Sequence, residues 1–130
     1  MYNITKKETV MKKKNTEKLN PVKEDGIYEG DIIDGIANGK GKLSYNNGDI
    51  YEGDFVDGVF QGKGKMIWTN GRSYTGDFVG NYRNGHGKYI DENGIVYEGN
   101  WVGGLLQGKG KITYQDGKVE EAQWEDGELI

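Results

Sequence analysis

Three kinds of residue in this chain have the type and spacing to do chemistry. Gly-Lys-Gly-Lys occurs at 39–42, 62–65 and 108–111, an arrangement that could cradle a phosphate. It lacks the Lys-Ser/Thr ending of a nucleotide-binding loop and opens no helix, so hairpin formation is the better account. Carboxylates recur in pairs, Asp31 with Asp34 and Asp54 with Asp57, but the spacing and terminal Glu of a calcium loop are missing. Turn formation explains them. His86 is the single histidine, and the chain has no cysteine. No triad or metal cluster can be assembled around it. The sequence therefore predicts a non-enzymatic protein with no cofactor and no metal.

Composition says which elements must carry these residues. Of 130 residues, 23 are glycine and only 34% are hydrophobic, too little aliphatic material for an ordinary two-layer core. Three Trp, nine Tyr and three Phe beside a single Pro favour strands and turns over helices or disorder. The expected class is all-β. No apolar stretch is long enough for a membrane helix, and residues 1–10 lack the apolar run of a secretory signal. With no cysteine, a reducing compartment suits the chain, and a cytoplasmic protein is expected.

The net charge of −4 conceals two opposite segments. Residues 1–23 carry +5, seven Lys against Glu8 and Glu17, whereas residues 24–130 carry −9. An acidic body argues against a nucleic-acid groove, where phosphate neutralisation dominates affinity.

Self-comparison exposes a repeat of 23 residues. Tyr28-Glu29-Gly30-Asp31 returns as Tyr51-Glu52-Gly53-Asp54, Tyr74-Thr75-Gly76-Asp77 and Tyr97-Glu98-Gly99-Asn100. With the Tyr as slot 0, glycine recurs at slot 11 (Gly39, Gly62, Gly85, Gly108), slot 13 (Gly41, Gly64, Gly87, Gly110) and slot 20 (Gly48, Gly71, Gly94, Gly117). His86 occupies slot 12, where the other units have Lys40, Lys63 and Lys109. The units span 28–50, 51–73, 74–96 and 97–119, and a partial unit at 120–130 keeps Trp124 but replaces the Tyr with Glu120 and a glycine with Ala122, as a terminal cap would. Residues 1–27 form a basic arm, expected to be disordered.

Each unit reads as two short strands, slots 0–4 and 11–17, joined by a six-residue loop at slots 5–10. A three-residue turn at slots 18–20, with left-handed glycine at slot 20, would join successive units. This register places Tyr28, Leu43, Tyr51, Met66, Tyr74, Tyr89, Tyr97 and Ile112 in one row and eight glycines, Gly30 to Gly110, in the next. A third row alternates Ile32, Phe55, Phe78, Trp101 and Trp124 with glycine, while the opposite face carries a ladder of Glu29, Lys42, Glu52, Lys65, Thr75, Lys88, Glu98 and Lys111. A two-residue turn between units would set Lys opposite Gly. Without side chains in the glycine row, flanking rings can lie on the backbone and stabilise a single layer.

The pattern Y-E-G-D-[FW]-x-x-G-x-x-x-G-x-G resembles the membrane occupation and recognition nexus, or MORN, repeat family over residues 28–130. Departures are Thr75 for Glu, Asn81 for the slot-7 Gly with Gly80 one place early, Asn100 for Asp, and Asp91 where other units have Tyr45, Trp68 and Tyr114. The resemblance implies an elongated single-layer antiparallel sheet with a shallow groove on its aromatic face. Family members resemble scaffolds that bind helices or extended peptides, dimerise or accompany catalytic domains, and lipid binding is also attributed to them.

A single layer is expected to leave its rings open on one side, and such an exposed aromatic patch marks a binding surface. The leading expectation is an adaptor that holds a helix or extended segment of a partner protein, as a subunit of a cytoskeletal, ciliary or other large assembly. Its anchors would be Tyr51, Phe55, Trp68, Tyr74, Phe78, Tyr97, Trp101 and Tyr114. Alanine at both Phe78 and Trp101 is expected to weaken capture by more than about 2 kcal/mol. The alternative is a peripheral membrane module that meets anionic lipid, or an acidic partner, through Lys6, Lys7, Lys12, Lys13, Lys14 and Lys18. A third reading is a targeting subunit of an enzyme. The last strand, near Trp124, would leave an edge free for pairing with a second copy or another protein.

Overall fold

Ten strands in chain order form one open antiparallel sheet, in a computed structural model that describes residues 26–130. They are β1 (Gly26–Ile33), β2 (Ile36–Tyr45), β3 (Ile50–Val56), β4 (Val59–Ile67), β5 (Ser73–Val79), β6 (Tyr82–Ile90), β7 (Val96–Val102), β8 (Leu105–Thr113), β9 (Val119–Glu125) and β10 (Glu128–Leu129). No helix interrupts them among the described residues. Each repeat is one hairpin, and the first begins at Gly26, two residues ahead of the boundary the sequence suggests.

The three-residue turn between units lies at slots 18–20. Tyr45 N–H donates to Asp49 O at 2.9 Å and closes the loop, with Gly48 in the left-handed region at φ 103°. Trp68 with Arg72, Asp91 with Ile95 and Tyr114 with Lys118 repeat this closure. The turn fixes the register: Leu43 faces Tyr51, Met66 faces Tyr74, Tyr89 faces Tyr97, and the glycine row runs unbroken from Gly30 to Gly110 before ending on Ala122.

The six-residue loop does not exist. The strands extend through slots 5 and 8 and meet at a two-residue turn, Asp34-Gly35, Asp57-Gly58, Gly80-Asn81, Gly103-Gly104 and Asp126-Gly127, with both residues at positive φ. Turns of this hand match the twist of the flanking strands. The extra residues are taken up by a bulge near slots 10–12, so Phe55 faces Gly39 of the preceding unit but Phe60 of its own. The aromatic–glycine row is thus correct between units and wrong within them.

Asp at slot 3 holds the bulge. Lys40 N–H donates to Asp31 Oδ2 at 3.0 Å, Lys63 N–H to Asp54 Oδ2 at 3.1 Å and His86 N–H to Asp77 Oδ2 at 3.3 Å. A Cβ at Gly39 would sit 2.6 Å from Asp31 Oδ2, which, with its φ of 100°, is why glycine stands there. A second device, a carboxamide at slot 10, was not read from the sequence. Asn38, Gln61, Asn84 and Gln107 each accept the N–H of slot 6 in the next unit, from Asp57, Gly80, Gly103 and Asp126, at 2.8 to 2.9 Å.

The core lies on one face of the sheet. Tyr51 and Tyr74 cross the glycine row and donate from their hydroxyls to the carbonyls of Asp54 and Asp77, each at 2.9 Å. Tyr51 stacks on Phe60 with ring centroids 3.8 Å apart and meets Phe55 and Phe78 edge-on at 5.2 and 5.3 Å. Such edge-to-face contacts add about 0.5–1.5 kcal/mol each beyond area burial. Leu43, Met66, Ile112, Leu106 and Trp124 complete the layer. The end of the sheet is a hairpin, in which Leu129 pairs with Trp124 and Ile130 N–H donates to Gln123 O at 2.9 Å. Trp124 therefore pairs on both sides, and the open edge of β9 lies beside residues 119–122, which face no strand beyond β8 among the described residues.

Candidate partner-binding face

Burial divides the eight expected anchors into two sets. Tyr51, Phe55, Tyr74 and Phe78 are 0 to 1% exposed and Trp101 is 5% exposed. The expectation that one layer leaves these rings open does not hold for them, because rings from neighbouring units cover one another over the glycine row. They are the core of the repeat. Trp68, Tyr97 and Tyr114 are half-buried and reach solvent.

Sequence reasoning did not single out Tyr89 as an accessible ring. It is also half-buried and connects the accessible set: its ring lies 6.2 Å from Trp68 and 6.0 Å from Tyr97. Tyr89 stands at slot 15, where the other units have Leu43, Met66 and Ile112, and that aromatic replacement was the available signal. Arg72 lies over Trp68 at 4.9 Å, and its Nη1 donates to Tyr89 Oη at 3.2 Å. The accessible face is thus a stripe of rings along the three-residue turns of the second to fourth units.

Asp91 breaks this stripe at slot 17. Its Oδ1 accepts Asn93 N–H at 2.8 Å and Ile95 N–H at 3.0 Å, and its Oδ2 accepts the hydroxyl of Tyr97 at 3.1 Å. That last bond changes the direction of Tyr97. Tyr28, Tyr51 and Tyr74 send their hydroxyls to the carbonyl three residues on, whereas Tyr97 reaches back towards the turn before it. In consequence a Cβ on Gly110 would meet Trp124 at 2.8 Å rather than a tyrosine hydroxyl. The third unit is the irregular one, as its departures indicate, and Asp91 is the departure that alters this face.

The protonation equilibria follow the packing. Burial, and then Asp54, pushes the Tyr51 phenol well above the usual range. Burial does the same for Tyr74, with Arg83 opposing. Tyr97 is raised by burial first and then by its bond to Asp91; Tyr114 is raised chiefly by its bond to Glu120 Oε1. None of these phenols is poised to act as a base at neutral pH.

Arg83 occupies slot 9, where the other units have Ala37, Phe60 and Leu106. It is 6% exposed, its guanidinium carbon lies 4.7 Å from Trp101, and its Nη2 donates to Gly104 O at 3.0 Å. It packs as a core side chain.

The opposite face carries the charges. The expected register, Glu52 beside Lys65 and Glu98 between Lys88 and Lys111, is present, but the short ion pairs run along a neighbouring row, Lys40 with Asp54 and Lys63 with Asp77, both at 2.6 Å. Lysine hydrogen bonds lower both Asp carboxyls below the usual range. His86 sits in this row, its Nε2 3.4 Å from Glu98 Oε2. Lys6, Lys7, Lys12, Lys13, Lys14 and Lys18 lie outside the described residues.

Comparison with curated proteins found no match. The family model for the MORN repeat matches four times, over residues 28–50, 51–71, 74–96 and 97–119. MORN repeats are generally modules of protein and membrane interaction and are not known as enzymes. These four matches fall on the hairpins whose tyrosines and glycines build the sheet, and together they span more than half of the sequence: the chain belongs to the MORN repeat family.

Proposed function

We propose that this chain is a non-enzymatic adaptor that holds a helix or an extended segment of a partner protein on its aromatic face. The observation that carries this reading is the stripe of half-exposed rings Trp68, Tyr89, Tyr97 and Tyr114 on a fully packed floor. Aromatic side chains with apolar bodies and polar tips are the residues that interface hot spots favour. Tyr51, Phe55, Tyr74, Phe78 and Trp101 shape the floor and set the spacing of the stripe. A cytoskeletal, ciliary or other large assembly would supply the partner, as the family resemblance implies.

Phe78 and Trp101 are unsuited to testing this, because alanine there removes core, at a cost of about 3–5 kcal/mol of stability. Trp68→Ala combined with Tyr114→Ala is the informative variant. In pull-down from native lysate, with circular dichroism matched to the parent, proteins retained by the parent and lost with the variant support the reading. Equal recovery rejects it.

A second reading rests on the division of charge, +5 over residues 1–23 and −9 over the rest. As a peripheral membrane module the chain would meet anionic lipid through Lys6, Lys7, Lys12, Lys13, Lys14 and Lys18, each contributing about 1 kcal/mol near the surface. No helix among the described residues is long and apolar enough to cross a membrane. Flotation on anionic liposomes, lost on changing these six lysines to glutamine or on raising salt, supports this reading, and flotation indifferent to both removes it.

A further inference from the structure

We propose that the break in the aromatic stripe at Asp91 receives a basic side chain, an arginine or lysine, from the segment held on this face. The inference rests on the reading of the face as a partner surface and specifies what that partner must present.

Three observations carry it. Slot 17 holds an aromatic ring in the other units, Tyr45, Trp68 and Tyr114, so Asp91 replaces a ring with a carboxylate between two half-exposed rings of the same row. The carboxylate is fixed by three neutral donors, the N–H groups of Asn93 and Ile95 and the hydroxyl of Tyr97, yet it forms no ion pair among the described residues. Oδ2 accepts one of these bonds, and a carboxylate oxygen has room for a second. Arg72, which closes the preceding turn, is committed elsewhere, to Asn70 Oδ1, Tyr89 Oη and the face of Trp68.

The same aspartate turns Tyr97 towards the break, so that a ring stands beside the carboxylate, with Tyr89 behind it at 6.0 Å. Rings beside a half-buried carboxylate suit a cation with an apolar stem: the stem covers the rings, the charge meets Oδ2, and the ring faces add a cation–π attraction. Charge at this edge points the same way. At the third and fourth turns Asp91, Glu92 and Asp116 stand against Lys118 alone. A neutral apolar occupant would cover the carboxylate and offer its charge no counter-charge beyond the three neutral donors it already has.

The test uses the full chain and a displayed library of random peptides. Selection on the parent is expected to enrich peptides that carry one arginine or lysine at a fixed position among apolar residues. Replacing that arginine with citrulline, its neutral isostere, should weaken binding roughly tenfold on the parent, the size expected for a hydrogen bond to a charged group. On Asp91→Asn, which keeps the oxygen acceptor, the two peptides should bind alike. Asp91→Tyr, the residue type of the other units, should select peptides without the basic position. Enriched peptides that lack a basic position, or an equal citrulline penalty on Asp91→Asn, overturn this inference and leave the partner face standing. A parent that enriches no peptide removes the partner face and this inference with it.

Discussion

The ring of Tyr51 occupies the space that a side chain on Gly64 would need: a Cβ there would collide with its hydroxyl, Cε1 and Cζ. Gly41 with Tyr28 and Gly87 with Tyr74 repeat the relationship. The tyrosine closes over the backbone of the partner strand, donates to the carbonyl three residues along its own strand, and serves as roof and side wall for the rings of adjoining units. Gly64→Ala is therefore expected to destabilise the sheet by about 1–3 kcal/mol, the usual cost of overpacking, with a lower urea midpoint at unchanged slope. Gly71→Ala is a control for loss of glycine alone, since nothing lies within 4 Å of its added carbon and only its φ of 95° is strained. Gly64 itself has no left-handed φ, so a Gly64→Ala variant as stable as the parent would show that the ring does not close this space.

The legibility of this fold differs from row to row. The inter-unit register could be read because slots 18–20 have a turn with one geometry and because Tyr, Gly and Lys must each find a compatible neighbour. The hairpin loop was misread because Asp34-Gly35 and Asp57-Gly58, adequate two-residue turn signals, were absorbed into six-residue segments that also hold Ile33 and Ile36, and Val56 and Val59; the left-handed Gly39 and Gly62 were not connected to a bulge held by Asp31 and Asp54. Asn38, Gln61, Asn84 and Gln107 were visible as a period of carboxamides, but their hydrogen bonds to the next turn appear only once that turn has two residues. Among the proposed anchors the exposure was misjudged for five of eight, since burial depends on how rings of successive units cover one another. Asp91 was noticed as a departure, whereas its effect on Tyr97 required the side-chain geometry.

The third unit closes with Gly80-Asn81 instead of Asp-Gly. Asn81 sits at φ 75°, donates N–H to Phe60 O at 3.1 Å and accepts Phe60 N–H on Oδ1 at 2.8 Å. Asn81→Ala keeps the backbone bond, loses the buried acceptor and adds left-handed strain, so about 2 kcal/mol or more of stability should disappear. Asn81→Gly removes only the acceptor and should cost less. Thermal and urea unfolding of the two variants decide the order, and a glycine variant worse than alanine would contradict it.

Buried Arg83 suggests a substitution with an unusual sign. Leu106 fills the equivalent position of the next unit, so Arg83→Leu should leave stability within about 1 kcal/mol of the parent or above it, as replacement of buried charge by packed apolar groups often does. Arg83→Ala, which strips the stem from Trp101 and leaves a cavity, should cost about 2–4 kcal/mol. Urea midpoints of the two variants give the comparison. A leucine variant as unstable as alanine would show that the contacts to Trp101 and Gly104 O hold the third hairpin.

Stability should fall at both ends of the pH scale, for different groups. Asp54 and Asp77 have lowered pKa values, so their contribution is present above the unfolded carboxylate value near 3.9 and is lost as pH falls through the folded one. Their lysine partners are about 80% exposed, which limits each pair to at most about 1 kcal/mol, and Lys63→Met should make the acid decline only slightly shallower. Tyr51 and Tyr74 have raised pKa values, so their contribution is complete below the unfolded tyrosine value near 10 and is lost as pH rises beyond it. The alkaline limb should be the steeper, because these phenols are buried and must leave the core to ionise. Tyrosinate absorbance followed alongside circular dichroism tests this: part of the absorbance should appear only as the sheet signal disappears, and Tyr51→Phe should reduce that part. If all tyrosines ionise before any loss of strand signal, the glycine row is open to water and the packing argument fails.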